Sequence, residues 1–174
     1  MNFVDTLMAG RLPSKEIALS AIATGGAIWS AVLMFVIGIL MALQPVVAQY
    51  DGAGDRAEGG RSARQGLWIA LGLALPYVLI LLSGGAFLRL MDVDSAIVPT
   101  AVEYMTALSW GAPGICLVLW LRFFSEGSGN TRPTMYMGLM GVAMNVPLNY
   151  TLMFGKLGFP ALGAQGCGYA TSIV

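Results

Sequence analysis

Residues 17–47 read IALSAIATGGAIWSAVLMFVIGILMALQPVV, a run without a single charged side chain. A helix needs about 20 mostly apolar residues to cross the hydrocarbon core of a bilayer. This run exceeds that length, and only Ser20, Thr24, Ser30 and Gln44 break its apolar character. We therefore predict a transmembrane helix that tilts or extends beyond the bilayer.

The composition of the whole chain agrees with a membrane location. Of 174 residues, 57% are hydrophobic and 10% are charged, whereas a soluble domain averages about 45–50% and about 25%. Nine basic and nine acidic residues cancel, so no basic excess exists to bind nucleic acid. Histidine is absent, and the two cysteines form no metal-binding pair. These features predict an integral membrane protein, without enzymatic activity or cofactor, whose main partner is the lipid bilayer.

Three further apolar runs are long enough to span a bilayer, at residues 67–88, 99–124 and 135–154. Residues 51–65 read as a polar connector, and Pro45, Pro76 and Pro113 are expected to interrupt the spans. The first nine and the last thirteen residues are apolar but too short to span. We predict an all-α membrane protein with about four complete transmembrane helices and two partial ones, and we expect the chain to be a fragment of a longer protein.

Asp5 is the most informative polar residue, because it lies inside the apolar stretch of residues 3–8. A carboxylate in a membrane span costs roughly 2.5–3.5 kcal/mol on insertion scales, and such residues usually mark an ion or proton path. Asp5 could exchange a proton or bind Na⁺. The alternative is that it lies near a helix end, in contact with headgroup water.

Asn145 and Asn149 are four residues apart and share one face of a helix, with Pro147 between them. The proline removes a backbone donor and frees the carbonyl of Ala143, so a broken helix with exposed polar groups is expected. Two amides can bind a carboxyl group or a cation. Interhelical amide bonds that only hold helices together are the alternative.

Weaker candidates lie elsewhere in the chain. The hydroxyls of Thr171 and Ser172 could join the same polar patch, although the small residues around them favour helix packing. The pair Gln44 and Pro45 fits either a moving or a static kinked bundle. Clustered methionines on the fourth span, including Met140 and Met144, fit either an adaptable drug-binding wall or ordinary packing. The four tryptophans are either interfacial belt residues or cavity walls.

Several motifs, in their order along the chain, resemble the multidrug and toxic compound extrusion (MATE) family, in particular its NorM-type bacterial branch. They are Phe3-Val4-Asp5-Thr6-Leu7-Met8-Ala9-Gly10, Met41-Ala42-Leu43-Gln44-Pro45-Val46-Val47-Ala48-Gln49, Gly52-Ala53-Gly54, Gln65-Gly66-Leu67, Arg132-Pro133, Asn145-Val146-Pro147-Leu148-Asn149 and Gly166-Cys167-Gly168-Tyr169-Ala170-Thr171. The resemblance covers essentially the whole chain.

The resemblance implies a fold of two six-helix bundles around a central cleft. Residues 1–174 would form part of the first bundle, from the second half of its first helix to the start of its sixth, without the C-terminal lobe. The resemblance also implies that the protein lies in the bacterial inner membrane and exports cationic, lipophilic drugs across it, driven by the inward movement of H⁺ or Na⁺. Asp5, Asn145, Asn149 and Thr171 match the family's cation-coupling positions, with Asp5 as a possible Na⁺ ligand. Some relatives carry a carboxylate where this chain has Asn149, which weakens the case for a two-carboxylate proton site.

A simple channel stays open as an alternative to drug export, although it explains Asp5 and the broken helix less well, and two further alternatives also stay open. A lipid-linked oligosaccharide flippase has the same wider fold, but its cavity should be strongly cationic, whereas the arginines here lie mainly in loops and at span ends. A truncated membrane fragment without function is the other. We expect the 174-residue chain alone not to transport, since half a span cannot cross a bilayer of about 30 Å.

Overall fold

The computed structural model describes residues 15–155 and 162–174. Within these ranges the chain forms only helices, which confirms the predicted all-α class. They are α1 (Lys15–Met41), α2 (Leu43–Gly52), α3 (Arg56–Leu82), α4 (Gly84–Leu90), α5 (Val98–Gly127), α6 (Arg132–Phe154) and α7 (Gly163–Ile173). The partial helix predicted for residues 1–9 lies outside the described residues, and α7 corresponds to the partial helix predicted at the other end.

Three segments of the described chain are long and apolar enough to cross a membrane: Glu16–Gly52, Arg56–Leu82 and Val98–Gly127. Helix α6 covers the fourth predicted span with 23 residues, which at 1.5 Å per residue is about 35 Å. It is less apolar than the other three because it contains Asn145 and Asn149. Both amides are buried against neighbouring helices and so are kept away from lipid.

The predicted connector at residues 51–65 is wrong for most of its length, because α3 already begins at Arg56. The carboxylate of Asp55 accepts a hydrogen bond from the backbone N–H of Glu58 at 3.2 Å. Aspartate followed three residues later by glutamate is a helix-start pattern, since it satisfies N–H groups that the first turn leaves open. The polar residues therefore form the first turns of a long helix, which ends at Leu82 rather than continuing to Leu88.

Of the three prolines expected to interrupt spans, Pro45 does so, whereas Pro76 and Pro113 do not. Helix α1 ends at Met41 and α2 starts at Leu43. In a continuous helix the ring of Pro45 would clash with the carbonyl of Met41, four residues earlier, and the helix breaks at this point. Pro76 and Pro113, by contrast, lie inside continuous helices, as does Pro147. All three are exposed, so their rings do not intrude between helices, and each helix continues with one backbone hydrogen bond fewer.

Helix α5 is the centre of the bundle and packs against each of the other six helices. Small residues allow the close approaches: Gly127 lies against the backbone of Gln44, and Gly25 lies against the ring of Tyr104. The indole of Trp120 donates to the carbonyl oxygen of Ala63 at 2.8 Å, which ties α5 to α3. Because α5 is fixed on several sides, it provides a rigid support for α7 and, through it, for the polar face of α6.

Candidate functional site

Two buried asparagines form the polar centre of the described chain. Asn145 and Asn149 lie one turn apart on α6, with 1% and 0% of their surface exposed. The side-chain amide of Asn149 donates to Oδ1 of Asn145 at 3.1 Å. Gly141, Leu152 and Met153 continue the same buried face of α6. The spacing therefore brings the amides together as predicted, but on an unbroken helix instead of a broken one.

Helix α7 covers this face because the chain turns back sharply after α6. Gly155 ends α6 in a left-handed conformation, with φ at 66°, which glycine adopts without steric cost. The backbone N–H of Leu162 then donates to the carbonyl of Leu152 at 3.0 Å. Gly166 approaches the same carbonyl so closely that a Cβ atom there would lie 2.5 Å from its oxygen. Helices α6 and α7 are therefore antiparallel and in close backbone contact.

This register sets the depth of Thr171 relative to the asparagines. Residue 166 lies level with residue 152, and Thr171 follows five residues later on α7, about 7.5 Å along the helix axis. In the opposite chain direction, Asn149 lies about 4.5 Å and Asn145 about 10.5 Å from residue 152. Thr171, only 8% exposed, therefore lies at a depth between the two amides.

Nδ2 of Asn145 and the hydroxyl oxygen of Thr171 are both buried. Neither has a hydrogen-bond partner among residues 15–155 and 162–174. An unsatisfied buried polar group costs about 1–3 kcal/mol, so a polar partner would be stabilised at this depth. The free amide donor suits a carboxylate. Rotation of the amide by 180° would instead present its oxygen to a cation.

Asp5, the predicted carboxylate of this site, lies outside the described residues. Within the described part of the chain, no three side chains of histidine, cysteine, aspartate or glutamate are grouped as metal ligands. Within the described residues, the oxygen atoms available near Asn145 are therefore those of amide, hydroxyl and carbonyl groups. Oxygen ligands of this kind suit hard cations.

The four predicted cavity or gating residues do not join the asparagine cluster. Gln44 is half-buried and lies beside Gly127. Gly127 is about 24 Å further along α5 than Gly111, the residue that contacts Ser172 of α7. Pro45 is exposed. Met140 and Met144 are on α6 but outside its buried face, with 63% and 44% of their surface exposed.

Sequence reasoning missed two polar contacts that hold the site in place. Ser172 donates its hydroxyl hydrogen bond to the carbonyl of Ala107 at 2.8 Å, so it anchors α7 to α5 rather than joining the polar patch. Trp120, interpreted as a belt or cavity residue, forms the indole bond to α3 described above. Neither contact leaves a signal in the sequence, because both acceptors are backbone carbonyls distant along the chain.

The sequence profile of the family described as MatE matches residues 1–151. The chain is 41% identical over 175 residues to a protein named multidrug resistance protein MdtK of Edwardsiella ictaluri (strain 93-146), covering 100% of this chain and 38% of that protein. It is also 41% identical, over 174 residues, to a protein named multidrug resistance protein NorM of Aliivibrio fischeri (strain ATCC 700601 / ES114), covering 100% of this chain and 37% of that protein. The chain thus spans less than two fifths of the length of these curated relatives.

Two solved structures have the same fold as the chain. One is described as the inward-facing conformation of a multidrug resistance MATE family transporter. Its TM-score is 0.88 at 22% identity, and the alignment covers 99% of this chain and 38% of the transporter chain. The other is described as the outward-facing conformation of such a transporter, with a TM-score of 0.86 and 22% identity, covering 99% and 37%. At this identity the likeness concerns the fold alone.

Proposed function

The chain belongs to the MatE family, the multidrug and toxic compound extrusion transporters, and from this premise we propose that the full-length protein exports drugs by antiport. Its substrates are cationic, lipophilic compounds, and the driving ion is Na⁺ or H⁺. The coupling site consists of Asp5, Asn145, Asn149 and Thr171. The observation that carries the proposal is the asparagine pair, buried on a helix that is otherwise exposed over most of its surface.

The chain is a multi-pass membrane protein, as its three span-length apolar helices and its family require. Helical bundles satisfy their backbone hydrogen bonds within each segment, whereas spanning proteins of the bacterial outer membrane are closed β-barrels. With relatives from bacteria, the chain is a protein of the inner membrane. Transport proceeds across this bilayer and needs the C-terminal lobe as the partner that closes the cleft.

The buried amides support an ion-exchange role for the site. Nδ2 of Asn145 is a donor that the described residues leave unsatisfied, and we propose the ionised carboxylate of Asp5 as its acceptor. Proton or Na⁺ binding removes the negative charge and weakens this bond. Because ion binding stabilises the two states of the site unequally, it shifts the equilibrium between the inward-open and outward-open forms.

Drug export follows when ion and drug binding oppose each other. A coupling free energy of 1–3 kcal/mol changes one ligand's affinity about 5- to 150-fold when the other binds. The exposed side chains of Met140 and Met144 offer a flexible, apolar surface for the drug, since methionine adapts its shape to varied ligands. We assign these two residues to the substrate cavity, and Gln44 and Pro45, next to the break between α1 and α2, to the moving part of the lobe.

The test is the Asp5→Asn variant of the full-length protein, assayed for efflux of a cationic dye from cells. We expect efflux to fall at least about tenfold, because the amide keeps the size of the side chain but neither binds a proton nor balances the charge of Na⁺. The matched control is Asp51→Asn, which removes an exposed carboxylate at the end of α2.

The control is expected to retain efflux, and membrane levels of both variants are measured by immunoblot. Undiminished efflux by Asp5→Asn at normal expression would rule out the assignment of the coupling site.

A further inference from the structure

The outward face of α3 changes from basic to apolar along the helix. Its inward face is a stripe of small and apolar residues: Gly59, Ala63, Gly66, Ala70, Ala74, Tyr77 and Leu81. At 100° per residue, the opposite side of the helix carries Arg61, Arg64 and Trp68, followed by Leu75 and Leu79. All five are exposed, and none is turned toward the bundle.

Trp68 marks the depth at which this face enters the hydrocarbon core. It is 69% exposed, and the outward residues that follow it on α3 are apolar. Helix α4 continues the face with exposed Phe87 and Leu90 and stays alongside α5, since Gly85 contacts Val102. The part of this face on α3, from Trp68 to Leu82, is about 21 Å long, and α4 extends the face to at most about 33 Å at Leu90, compared with the 30 Å thickness of the hydrocarbon core. Tryptophan is also the residue that favours this boundary.

Both arginines lie outside this boundary, Arg64 within the depth of the headgroup layer and Arg61 just beyond its outer edge. Arg64 is about 6 Å beyond Trp68 along the axis and Arg61 about 10 Å beyond it, while the headgroup layer is about 5–8 Å thick on each side. Between the arginines lies a shallow, open hollow on the surface of α3, lined by Ala57, Glu58, Gly60, Arg61 and Arg64. The hollow exists because Gly60 has no side chain and Ala57 has only a methyl group.

The charges at the hollow favour an anion. Arg64 makes no ion pair with any residue in the described ranges. Arg61 pairs with Glu58 at 3.2 Å through one guanidinium nitrogen, which leaves the other donors of the fork available. The nearby carboxylate of Asp55 is already bonded to the backbone N–H of Glu58. Two guanidinium groups therefore face the hollow against one carboxylate.

We propose that this hollow binds the phosphate of an anionic phospholipid. The acyl chains would lie along the apolar ridge beyond Trp68, which is formed by the exposed side chains of Leu75, Leu79, Phe87 and Leu90. Arginine binds phosphate through paired hydrogen bonds, and basic groups at the membrane surface recognise anionic headgroups. The lipid matches the hollow in charge and the ridge in apolar character at the same time, and a free anion would match only the first. The proposal depends on the membrane location and not on drug export.

The experiment measures lipid binding to the full-length protein in detergent by native mass spectrometry, with phosphatidylglycerol and phosphatidylcholine as probes. We expect the unmodified protein to retain phosphatidylglycerol more strongly. The double variant Arg61→Gln, Arg64→Gln should lose about tenfold in apparent affinity for phosphatidylglycerol, since each basic residue near an anionic surface contributes to binding. The control is Arg89→Gln, an exposed arginine at the other end of the ridge, which should bind as the unmodified protein does.

A second variant tests the hollow without changing its charge. No atom of residues 15–155 and 162–174 outside the helix's own backbone lies within 4 Å of a Cβ atom placed at Gly60. Gly60→Leu therefore fills the hollow without disturbing helix packing, and it should also weaken phosphatidylglycerol binding. Equal binding of phosphatidylglycerol by the double variant, equal retention of phosphatidylcholine, or displacement of the lipid by inorganic phosphate would each overturn the proposal. Because dye efflux is not measured here, this outcome is independent of the Asp5→Asn result.

Discussion

The side chains of Asn145 and Asn149 bond to each other inside a membrane bundle, where both are buried. The bond uses the oxygen of Asn145 and a nitrogen of Asn149. It leaves Nδ2 of Asn145 available for a group that the described residues do not supply. Such a pair costs free energy unless a partner is bound, so its position favours a role in binding.

Replacement of one asparagine should change ion dependence more than protein level. In Asn145→Ala, both the acceptor for Asn149 and the free donor are lost, so we expect dye efflux to fall about tenfold. The ion concentration for half-maximal efflux should rise by a similar factor, within the usual range for coupled sites. The measurement is dye efflux from cells over a range of external Na⁺ and pH.

Met144→Ala is the matched control, because it truncates the adjacent residue on the exposed side of α6. It should leave the ion dependence unchanged, although its drug preference can differ. If Asn145→Ala and Met144→Ala had the same ion dependence, Asn145 would have only a structural role.

At the residue scale, the sequence predicted the asparagine pair but not the roles of its neighbours. A spacing of four fixes a shared helix face without any knowledge of tertiary structure. Thr171 and Ser172 are adjacent and chemically alike, yet Thr171 is buried and Ser172 bonds to a carbonyl of α5. Which hydroxyl meets which helix depends on how α7 packs, and that depends on contacts across the bundle.

Helix α7 depends on glycines where it contacts its neighbours. A Cβ atom at Gly166 would lie 2.5 Å from the carbonyl oxygen of Leu152, and one at Gly168 would lie 2.8 Å from that of Tyr104. Backbone atoms cannot move aside as flexible side chains do, so these positions fix the distance between α7 and both α6 and α5. The depth of Thr171 relative to the asparagines follows from this contact.

Gly166→Ala should therefore separate α6 from α7. We expect a loss of about 1–3 kcal/mol in stability, the usual cost of an added methyl group in a tight core, and a lower melting temperature of the purified full-length protein. Gly114→Ala is the control, since it adds the same methyl group to α5 at a place where, in the described part of the chain, no atom outside the helix's own backbone lies within 4 Å. Its melting temperature should stay the same or rise, because alanine favours the helix. Equal destabilisation by the two variants would contradict the packing argument.

At the element scale, hydropathy predicted that the spans exist, but local chemistry set their ends. Residues 56–65 were part of the predicted connector, yet they are helical, and Asp55 caps their first turn. Pro45 breaks its span as predicted, whereas Pro76 and Pro113 each remove only one hydrogen bond from a helix that continues. The less apolar helix α6 was still predicted, because its polar residues are few and lie on one face.

The described chain forms a lobe whose fold matches both the inward-facing and the outward-facing structure of MATE transporters, with TM-scores of 0.88 and 0.86. The fold of the lobe is thus compatible with either state. The resemblance noted in the sequence anticipated this architecture, whereas composition alone indicated only a helical membrane protein. The ion that drives transport depends on small energetic differences at the coupling site, which neither spacing nor hydropathy determines.

The central claim is that inward movement of a cation drives outward movement of a drug. Its most direct test uses the purified full-length protein in liposomes loaded with a cationic dye, with a Na⁺ gradient, a proton gradient or neither imposed. We predict that one of the two gradients accelerates dye movement at least about fivefold, the lower end of the usual coupling range. Liposomes that contain only the 174-residue chain should give no acceleration. Dye movement at the same rate with both gradients and with neither would contradict the account.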